Sequence, residues 1–415
     1  MLQVLSSSWA LMLGMMLLMV GNGLQGTLLG VRGDIEGFGA FQMSIVMSAY
    51  FVGFLGGSRL TPTMIRRVGH VRVFAALGSF ISAVLILYPT WTDPWAWTFM
   101  RVIIGFCFSG VYVTAESWLN NSADNQNRGK ALSLYMIMQM LGIIIAQALL
   151  LVADPAGYVL FVIISVLVSV SFAPILLSVS PTPAFEATKP KSLREIMEIS
   201  PLGCVGMFLL GGVFSAQFGM SAVYGTEVGL TLGQISLFVS MFYVGATVIQ
   251  YPLGWLSDRM DRRQLIMIVA IVCAMGAFLG MLSGGNFALL LLAAFLIGGL
   301  SNPLYSLLVA YTNDFIELED MAAVSGGLVF INGLGAISGP LITGWLMGTF
   351  GAGAYFLLIA TLLVVLALYA AYRMTQRSAP SGEETSSYAP VAMSSSALAV
   401  EYALEEGAES DESAE

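Results

Sequence analysis

The stretch GWLSDRMDRRQ, from Gly254 to Gln264, decides the fold of this chain. Residues 258–263 hold five charges, two acidic and three basic, and long apolar runs flank them on both sides. Because hydrocarbon holds such charges only at high cost, the segment must be a short, wet turn between two membrane helices. Two interpretations are open. The segment is an ordinary cytoplasmic loop, where Lys and Arg gather in any membrane protein. Alternatively, Asp258 and the arginines form a network that holds one side of the protein closed, and Gly254 allows close helix contact.

The whole chain has the composition of a polytopic membrane protein. Of its 415 residues, 57% are hydrophobic and 10% are charged, with a mean hydropathy of +0.85, whereas about a quarter of a soluble domain is charged. The formal net charge of −9 lies in the last 38 residues, which hold nine carboxylates and no Lys or Arg. The remainder is neutral, so the acidic balance carries no information about a ligand.

Twelve apolar runs are each long enough to cross a bilayer, which takes about 20 residues. A polar break at 179–199 indicates a linker with a short amphipathic helix (Leu193, Ile196, Met197) on the membrane surface. The sequence predicts an all-α polytopic protein with six-helix bundles at 1–178 and 200–375 and a disordered acidic tail at 376–415 in which nothing packs. The predicted spans lie near 8–31, 41–65, 71–91, 95–120, 129–152, 157–178, 200–226, 233–257, 263–283, 287–312, 321–347 and 352–374.

The distribution of basic residues predicts the orientation. With the N-terminus inside, the even-numbered loops and the C-terminus hold 14 of the 16 Lys and Arg residues. Of the other two, Arg32 lies in an odd-numbered loop and Arg101 lies within predicted span 4. This bias places both termini in the cytoplasm. The loop between spans 10 and 11 is an exception, since it has Glu317, Glu319 and Asp320 and no base.

The two halves of the chain repeat each other at an offset of about 192 residues. Small and apolar residues match easily by chance in such a chain, but matched Gln, Glu and Asn do not. We therefore predict two pseudo-symmetric bundles related by an axis along the membrane normal. The matched positions include Gln25 and Gln217, Gly53 and Gly245, Gly105 and Gly298, Tyr112 and Tyr305, and Asn120 and Asn313.

Polar side chains inside the apolar runs mark a candidate pathway. Spans 3, 6, 9 and 12 have no Asn, Gln, Asp or Glu in their interiors and are predicted to face lipid. For an Asn or Gln, a helix–helix hydrogen bond explains the position as well as a functional role does. A mid-helix Arg such as Arg101 favours a water-filled cavity or a fixed partner. The polar residues of spans 1, 4, 7 and 10 are Asn22, Gln25, Arg101, Glu116, Gln217, Asn302 and Asn313.

Several fragments resemble motifs of the major facilitator superfamily of secondary transporters. The wording GxLxDRxxRR at 254–263 resembles its signature loop, and Arg101-Val-Ile-Ile-Gly105 resembles the RxxxG motif of helix 4 in proton-coupled members. Arg128-Gly129 opens span 5 in the manner common in that superfamily. The resemblance covers about residues 8–375, and over this range the sequence is similar to a bacterial branch of the superfamily. The resemblance implies the twelve-helix fold and a location in the bacterial inner membrane.

Two departures leave the direction of transport open. Gly335-Ala-Ile-Ser-Gly339-Pro340, with Gly344, resembles the Gly-Pro motif of drug–proton antiporters, but those carry it in helix 5 and here it lies in span 11. The first-half loop has Thr61 to Thr63 where the signature acid would be. Drug or metabolite efflux and uptake are therefore equally compatible with the resemblance.

The resemblance implies a secondary transporter that moves a small solute by alternating access, coupled to protons. Its central cavity would be lined by spans 1, 4, 7 and 10. Within this reading, Asp34 or Glu36 is a candidate proton carrier whose charge Arg101 controls, and the alternative is that both acids lie in the periplasmic loop after span 1. Glu116 is the other candidate carrier, but its position near the cytoplasmic end suits the gate better. The candidate substrate and proton pathway comprises Asn22, Gln25, Asp34, Arg101, Tyr112, Gln217, Asn302 and Tyr305.

The same resemblance implies a cytoplasmic gate. Asp258 is expected to face the start of span 5, Arg262 to reach Asp314 at the end of span 10, and Glu116 to meet the bases of loop 2–3. Arg66 and Arg67 are expected near the acids at 317, 319 and 320. The candidate gate residues are Arg66, Arg67, Glu116, Arg128, Gly254, Asp258, Arg259, Arg262 and Asp314.

Other functional classes find little support. No GxxxxGK[ST] phosphate-binding motif occurs, His70 is the single histidine, and the three cysteines have no metal spacing. We expect no cofactor, no metal, no catalytic site and no nucleic-acid partner, and a protein that acts as a monomer. A receptor or scaffold that keeps the fold without transporting is the alternative to a transporter.

Overall fold

The computed structural model describes residues 2–122, 128–177, 192–316 and 320–376, together with Tyr388, Val391 and Val400. Within this part of the chain every regular element longer than one turn is an α-helix, and no strand is present. The helices are α1 (Leu2–Ile35), α2 (Ala40–Val68), α3 (His70–Leu87), α4 (Pro94–Ser122), α5 (Arg128–Leu149), α6 (Val159–Leu177), α7 (Leu193–Ile199), α8 (Pro201–Glu227), α9 (Leu232–Ser257), α10 (Arg262–Met281), α11 (Phe287–Asn313), α12 (Met321–Phe350) and α13 (Ala354–Gln376).

The predicted all-α polytopic architecture is confirmed. Helices α1–α6 and α8–α13 correspond to the twelve predicted spans, and α7 is the predicted linker helix. Eleven of the described helices are long and apolar enough to cross a membrane, whereas the described apolar part of α6, residues 159–174, is too short to count among them. Twelve crossings therefore remain a prediction, with α6 as the open one.

Matching glycines end the first helix of each half. Helix α1 continues to Ile35, four residues beyond the predicted end, and Gly37 closes it with φ +78°. There the Phe38 N–H donates to the Gly33 carbonyl at 2.8 Å, the bond that seals a helix whose next residue is left-handed. Gly229 (φ +74°) does the same at the end of α8, where the N–H of residue 230 donates to the carbonyl of residue 225 at 2.9 Å. The sequence repeat thus extends to the backbone of the helix ends.

A close helix crossing is also repeated. Gly53 of α2 lies against the Val102 carbonyl oxygen of α4, and Gly105 of α4 lies against the Tyr50 carbonyl oxygen of α2, so a Cβ at either glycine would overlap an oxygen atom. Small residues at such crossings let two backbones approach in a membrane protein. In the second half, Gly245 and Gly298 make the equivalent contacts with the carbonyl oxygens of residues 295 and 242.

The chain divides into two compact units. The first comprises residues 1–187, 218–240 and 340–352, and the second comprises 188–217, 241–339 and 353–415. The division follows the predicted halves except at 218–240 and 340–352, which group with the first half. Within the first unit α1 packs on α5 and α6, α2 packs on α4, and α3 packs on α4 and α6; within the second, α10 packs on α11 and α13.

The short helix α7 is fixed locally by its first turn. The Ser192 hydroxyl oxygen accepts a hydrogen bond from the Glu195 N–H, and the Glu195 carboxylate accepts one from the Ser192 N–H at 2.8 Å. Such a reciprocal pair satisfies two N–H groups that a helix start leaves free. Ile196 is fully buried against Gly327 of α12, while residues 193 and 197 are exposed.

Replacing Gly53 tests the helix crossing. We expect Gly53→Ala to lower the unfolding free energy by about 1–3 kcal/mol, since overpacking a close contact costs that much, and to lower the melting temperature of the purified protein. Gly56→Ala is the matched control on the same helix, because its Cβ would meet only a Phe106 ring atom at 3.6 Å. Equal melting temperatures for the two variants would contradict a crossing that depends on Gly53.

Candidate functional site

The first unit buries a group of polar side chains among apolar helices. Asn22 Nδ2 donates to the Tyr112 hydroxyl at 3.0 Å, and the Tyr112 hydroxyl donates to Met19 Sδ at 3.3 Å. Gln25, one turn further along α1, is fully buried, and neither its amide nitrogen nor its amide oxygen has a hydrogen-bond partner among the described residues. The predicted pathway residues of α1 and α4 are therefore inside the protein, and part of their hydrogen-bonding capacity is unused.

Arg101 is the buried charge of this group, with a relative exposure of 1%. Its guanidinium carbon lies 4.8 Å from the centre of the Tyr50 ring, and its Nη2 lies 3.4 Å from Met47 Sδ. Its Nε and Nη1 have no hydrogen-bond partner among the described residues. The Tyr88 hydroxyl, just after α3, lies within electrostatic range of this guanidinium and close to the Gln25 side chain, and it has no well-formed hydrogen bond to the described residues.

Of the two acids proposed as proton carriers, one is exposed and the other is held by Arg32. Asp34 is exposed to solvent, and Glu36 forms an ion pair with Arg32 at 2.6 Å. Arg32 Nη1 also donates to the carbonyl oxygen of Pro155 at 3.0 Å and to that of Ala156, in the connection between α5 and α6. No described carboxylate forms an ion pair with Arg101. The structure therefore gives no contact by which Arg101 would control Asp34 or Glu36.

In the second unit the polar side chains pair with each other. Gln217 Nε2 donates to Ser301 Oγ at 3.1 Å, and the Ser301 hydroxyl lies 3.3 Å from Gln217 Oε1. Asn302 donates to the Gly298 carbonyl oxygen of its own helix at 3.1 Å, and Tyr305 is fully buried. Gln25 and Gln217 thus occupy matched positions, but Gln217 is paired and Gln25 is not.

The segment 254–264, which we call the signature loop, contains a buried ion pair. Arg262 Nη1 contacts Asp314 Oδ1 at the end of α11, and the two side chains have relative exposures of 4% and 2%. This is the contact that the family resemblance implies. Arg259 is exposed and lies over the Trp255 ring, with its guanidinium carbon 4.2 Å from the ring centre.

Asp261 begins α10 and sits outside the spans. Burial raises its pKa, but hydrogen bonds from the Arg263 side chain and backbone N–H, together with the Arg263 charge, outweigh burial, so the pKa lies below its ordinary value. A lowered carboxyl pKa stabilises the folded protein above the unfolded-state pKa, and this stabilisation is lost as the pH falls through the folded-state pKa. The contacts of Asp261 therefore stabilise the turn above the ordinary pKa of an aspartate and weaken in acid.

The other gate candidates are placed differently. Arg66 and Arg67 are exposed at the end of α2, and Arg66 Nη2 lies 3.3 Å from Thr63 Oγ1. Glu116 is buried within α4 and accepts a hydrogen bond from the Tyr135 hydroxyl at 3.2 Å, a partner that the sequence did not suggest. The side chain of Arg128 and the acids at 317 and 319 lie outside the described residues.

Part of the C-terminal tail binds the signature loop and α11. The Tyr388 N–H donates to Asp258 Oδ1 at 3.0 Å, and a Cβ at Gly254 would lie 2.8 Å from the Tyr388 ring. The Val391 N–H donates to Ser306 Oγ at 2.9 Å, and the Ser306 hydroxyl donates to the Val391 carbonyl oxygen at 3.1 Å. Contacts at both positions show that the tail recognises this unit through its backbone.

The prediction that nothing in residues 376–415 packs is wrong at the described tail positions. Val391 and Val400 are buried, with relative exposures of 3% and 0%. They are isolated apolar residues in an acidic segment, and the average composition of the segment did not indicate that they would pack. The rest of the predicted tail lies outside the described residues.

Sequence reasoning missed several residues that complete the site. Three of them are aromatic or apolar residues in apolar runs: Met47 and Tyr50 on α2, and Tyr88 just after α3. Only the crossing of α2 and α4 identifies Met47 and Tyr50 as neighbours of Arg101. Ser301 is one residue from the predicted Asn302, so helix counting alone could not select it. Ser306 shares a helix face with Asn302 and Asn313 in the sequence, but its contact with the tail was not suggested there.

Comparison with protein families places the chain among membrane transporters. The model of the Major Facilitator Superfamily matches residues 11–227 and 202–401. A curated relative, the protein "Uncharacterized MFS-type transporter YcaD" of Salmonella arizonae, is 25% identical over 332 residues, which cover 79% of this chain and 85% of the relative.

Solved structures share the fold. A variant of the nucleoside transporter NupG matches with a TM-score of 0.76 at 14% identity, covering 88% of this chain and 99% of that one. A bacterial homologue of the human lysosomal transporter Spinster, in an inward-facing and unoccupied conformation, matches with a TM-score of 0.67 at 13% identity, covering 97% and 98%. At these identities the likeness establishes the fold alone.

Breaking the Arg262–Asp314 pair tests its contribution to stability. Arg262→Gln or Asp314→Asn alone should lower the unfolding free energy by about 3–5 kcal/mol, because each leaves a buried charge without its partner. The double variant should lose less than the sum of the two, and its melting temperature should exceed that of at least one single variant. Arg259→Gln, at the exposed arginine of the same loop, is the control and should melt as the wild type does. Strictly additive losses would exclude a coupled pair.

Truncation tests the tail contacts. Deleting residues 380–415 should lower the melting temperature and speed alkylation of a Ser306→Cys reporter, since Tyr388 and Val391 no longer cover the second unit. Deleting only 403–415 keeps all three described tail positions and is the matched control. The native cysteines are buried and should contribute little background. Identical melting and labelling of the two truncated forms would show that the tail does not protect this surface.

Proposed function

Because this chain belongs to the Major Facilitator Superfamily, we propose that it is a secondary active transporter that moves a small solute by alternating access, coupled to protons. Membrane transport is the activity of the family and of the relative that the chain matches. In this proposal the bundles 1–178 and 200–375 rock against each other around a central pathway. Efflux and uptake are both compatible with it.

The observation that carries the proposal is the unpaired polarity buried near Arg101. Polar and ionisable groups inside a membrane protein are costly and mark the pathways of substrates and ions. A scaffold that merely kept the fold, with nothing to bind inside it, would gain nothing from a buried arginine whose Nε and Nη1 lack partners among the described residues. A transporter needs such groups, because they bind what passes.

Glu116 is the proton carrier that we propose. It is a carboxylate buried within a helix of the described part of the chain, and the Tyr135 hydroxyl donates to it at 3.2 Å. Asp34 is exposed and Glu36 is held by Arg32, so both are weaker candidates. A buried carboxylate that accepts a hydrogen bond from a neighbouring hydroxyl can bind and release a proton when the surrounding helices move.

A flux measurement tests transport. A thermal-shift screen of the purified protein against a metabolite and drug library identifies ligands, since a bound ligand stabilises by mass action. Proteoliposomes with an imposed pH gradient should then accumulate or expel the ligand that stabilises most, and protein-free liposomes should not. Binding without flux in either direction would favour the receptor or scaffold.

The proton carrier is tested in the same vesicles. Glu116→Gln should lose gradient-driven flux but keep exchange of labelled for unlabelled substrate, because exchange requires no net proton movement. Asp34→Asn is the control and should retain both. Gradient-driven flux that survives in Glu116→Gln would exclude Glu116 as the carrier.

A further inference from the structure

We infer that the buried residues around Arg101 form a binding site for the carboxylate group of a small organic monoanion. The site, which we call the Arg101 cluster, consists of Arg101 with Asn22, Gln25, Met47, Tyr50 and Tyr88. The inference rests on the proposed function, because it names the substrate class for that pathway. The cluster lies wholly within the first unit.

The first argument is that the arginine lacks a counter-ion. A guanidinium carries five N–H donors and stays protonated in proteins. Among the described residues, the three donors on Nε and Nη1 have no partner, and Nη2 faces the sulfur of Met47, which is a weak acceptor. The face of Tyr50 offsets part of the cost of burial by a cation–π interaction. The cation–π interaction does not use the N–H groups of the guanidinium. The hydrogen bonds of the cluster are therefore satisfied only when oxygen atoms of another molecule accept from these N–H groups.

The second argument is that folding does not require this arginine. The crossing of α2 and α4 at Gly53 and Gly105 recurs in the second half at Gly245 and Gly298. With the same register, the second half has Ala294 at the position of Arg101 and Phe242 at the position of Tyr50. The same helix packing is thus achieved there without a buried charge, which indicates that Arg101 serves a ligand.

Charge balance selects the kind of anion. Arg101 is the cation of the cluster, and its described neighbours are neutral amides, tyrosines and a methionine. One carboxylate neutralises one guanidinium and matches its planar geometry with two parallel hydrogen bonds. A phosphate dianion would leave a net negative charge inside apolar helices, which is costly. The geometry therefore fits a monocarboxylate better than a phosphate.

The neutral groups predict a second polar feature on the ligand. Both polar atoms of Gln25, the Tyr88 hydroxyl and Asn22 Oδ1 are buried, and none of them has a well-formed hydrogen bond to the described residues. Tyr88 and Gln25 are close enough for a weak side-chain hydrogen bond to each other, and Tyr88 lies within electrostatic range of Arg101. An acid that also carries a hydroxyl or amide group would satisfy these atoms together with the arginine. Hydroxy acids and acylated amino acids have this combination.

The binding test uses the purified full-length protein in chloride-free buffer. Sodium lactate and N-acetylglycine are the probes, the corresponding neutral amides are matched controls, and inorganic phosphate tests the dianion. We expect at least one acid to raise the melting temperature in a saturable way while its amide does not. Stabilisation by the amides to the same extent, or by phosphate alone, would overturn the assignment.

Three variants separate a ligand role from a structural one. Arg101→Met should keep or raise the melting temperature of the ligand-free protein, because it removes a buried unpaired charge at similar volume, and should weaken acid binding by about tenfold or more. Arg101→Lys keeps the charge but loses the paired geometry and should bind with intermediate affinity. Arg194→Met, at an exposed arginine of α7 outside the proposed pathway and gate, should bind as the wild type does. A destabilised Arg101→Met that still binds the acid with unchanged affinity would overturn the inference.

The two proposals can fail separately. Acid binding that depends on Arg101 without flux in proteoliposomes would preserve the anion site and exclude transport. Flux of a neutral solute by a protein that binds none of the acids would preserve transport and exclude the anion site.

Discussion

The structure depends on a crossing of two helices in which the backbone of one occupies the space of a missing side chain on the other. Gly53 and Gly105 bring α2 and α4 together against the carbonyl oxygens of residues 102 and 50. Arg101 lies one turn before Gly105 on α4, so the crossing that holds Tyr50 against Gly105 also sets the Tyr50 ring over the guanidinium. The position of Tyr50 over Arg101 thus depends on the packing of α2 against α4. That packing is possible because Gly53 and Gly105 have no Cβ atom.

Much of the fold was predictable from the sequence because membrane helices must be long and apolar. The twelve apolar runs, the linker helix and the Arg262–Asp314 contact all have counterparts in the structure. The neighbours of Arg101 were not predictable, since Met47 and Tyr50 are ordinary letters in an apolar run and gain meaning only from the crossing. The exposure of Asp34 agrees with the alternative that placed it in the loop after span 1. The tail contacts were not predictable, because composition averages over the few residues that pack.

The two halves show how a duplicated framework acquires different chemistry. Both keep the glycine crossing and the left-handed glycine that ends the first helix. The first half adds a cation and an unpaired amide, whereas in the second half Gln217 is satisfied by Ser301 and the arginine position holds Ala294. The second half instead carries the buried ion pair of the signature loop and the contacts with the tail. Symmetry therefore governs the helices, and asymmetry is concentrated in a few polar side chains.

The glycine crossing also bears on how this architecture diverges over time. A contact made of backbone atoms and an empty position places no demand on the identity of surrounding apolar residues, which are free to exchange for one another. Selection for shape then acts on a handful of small residues, while most of the chain drifts. A NupG variant shares this fold with a TM-score of 0.76 at only 14% identity. Two helices joined through backbone contacts can keep their crossing while the apolar side chains around it change.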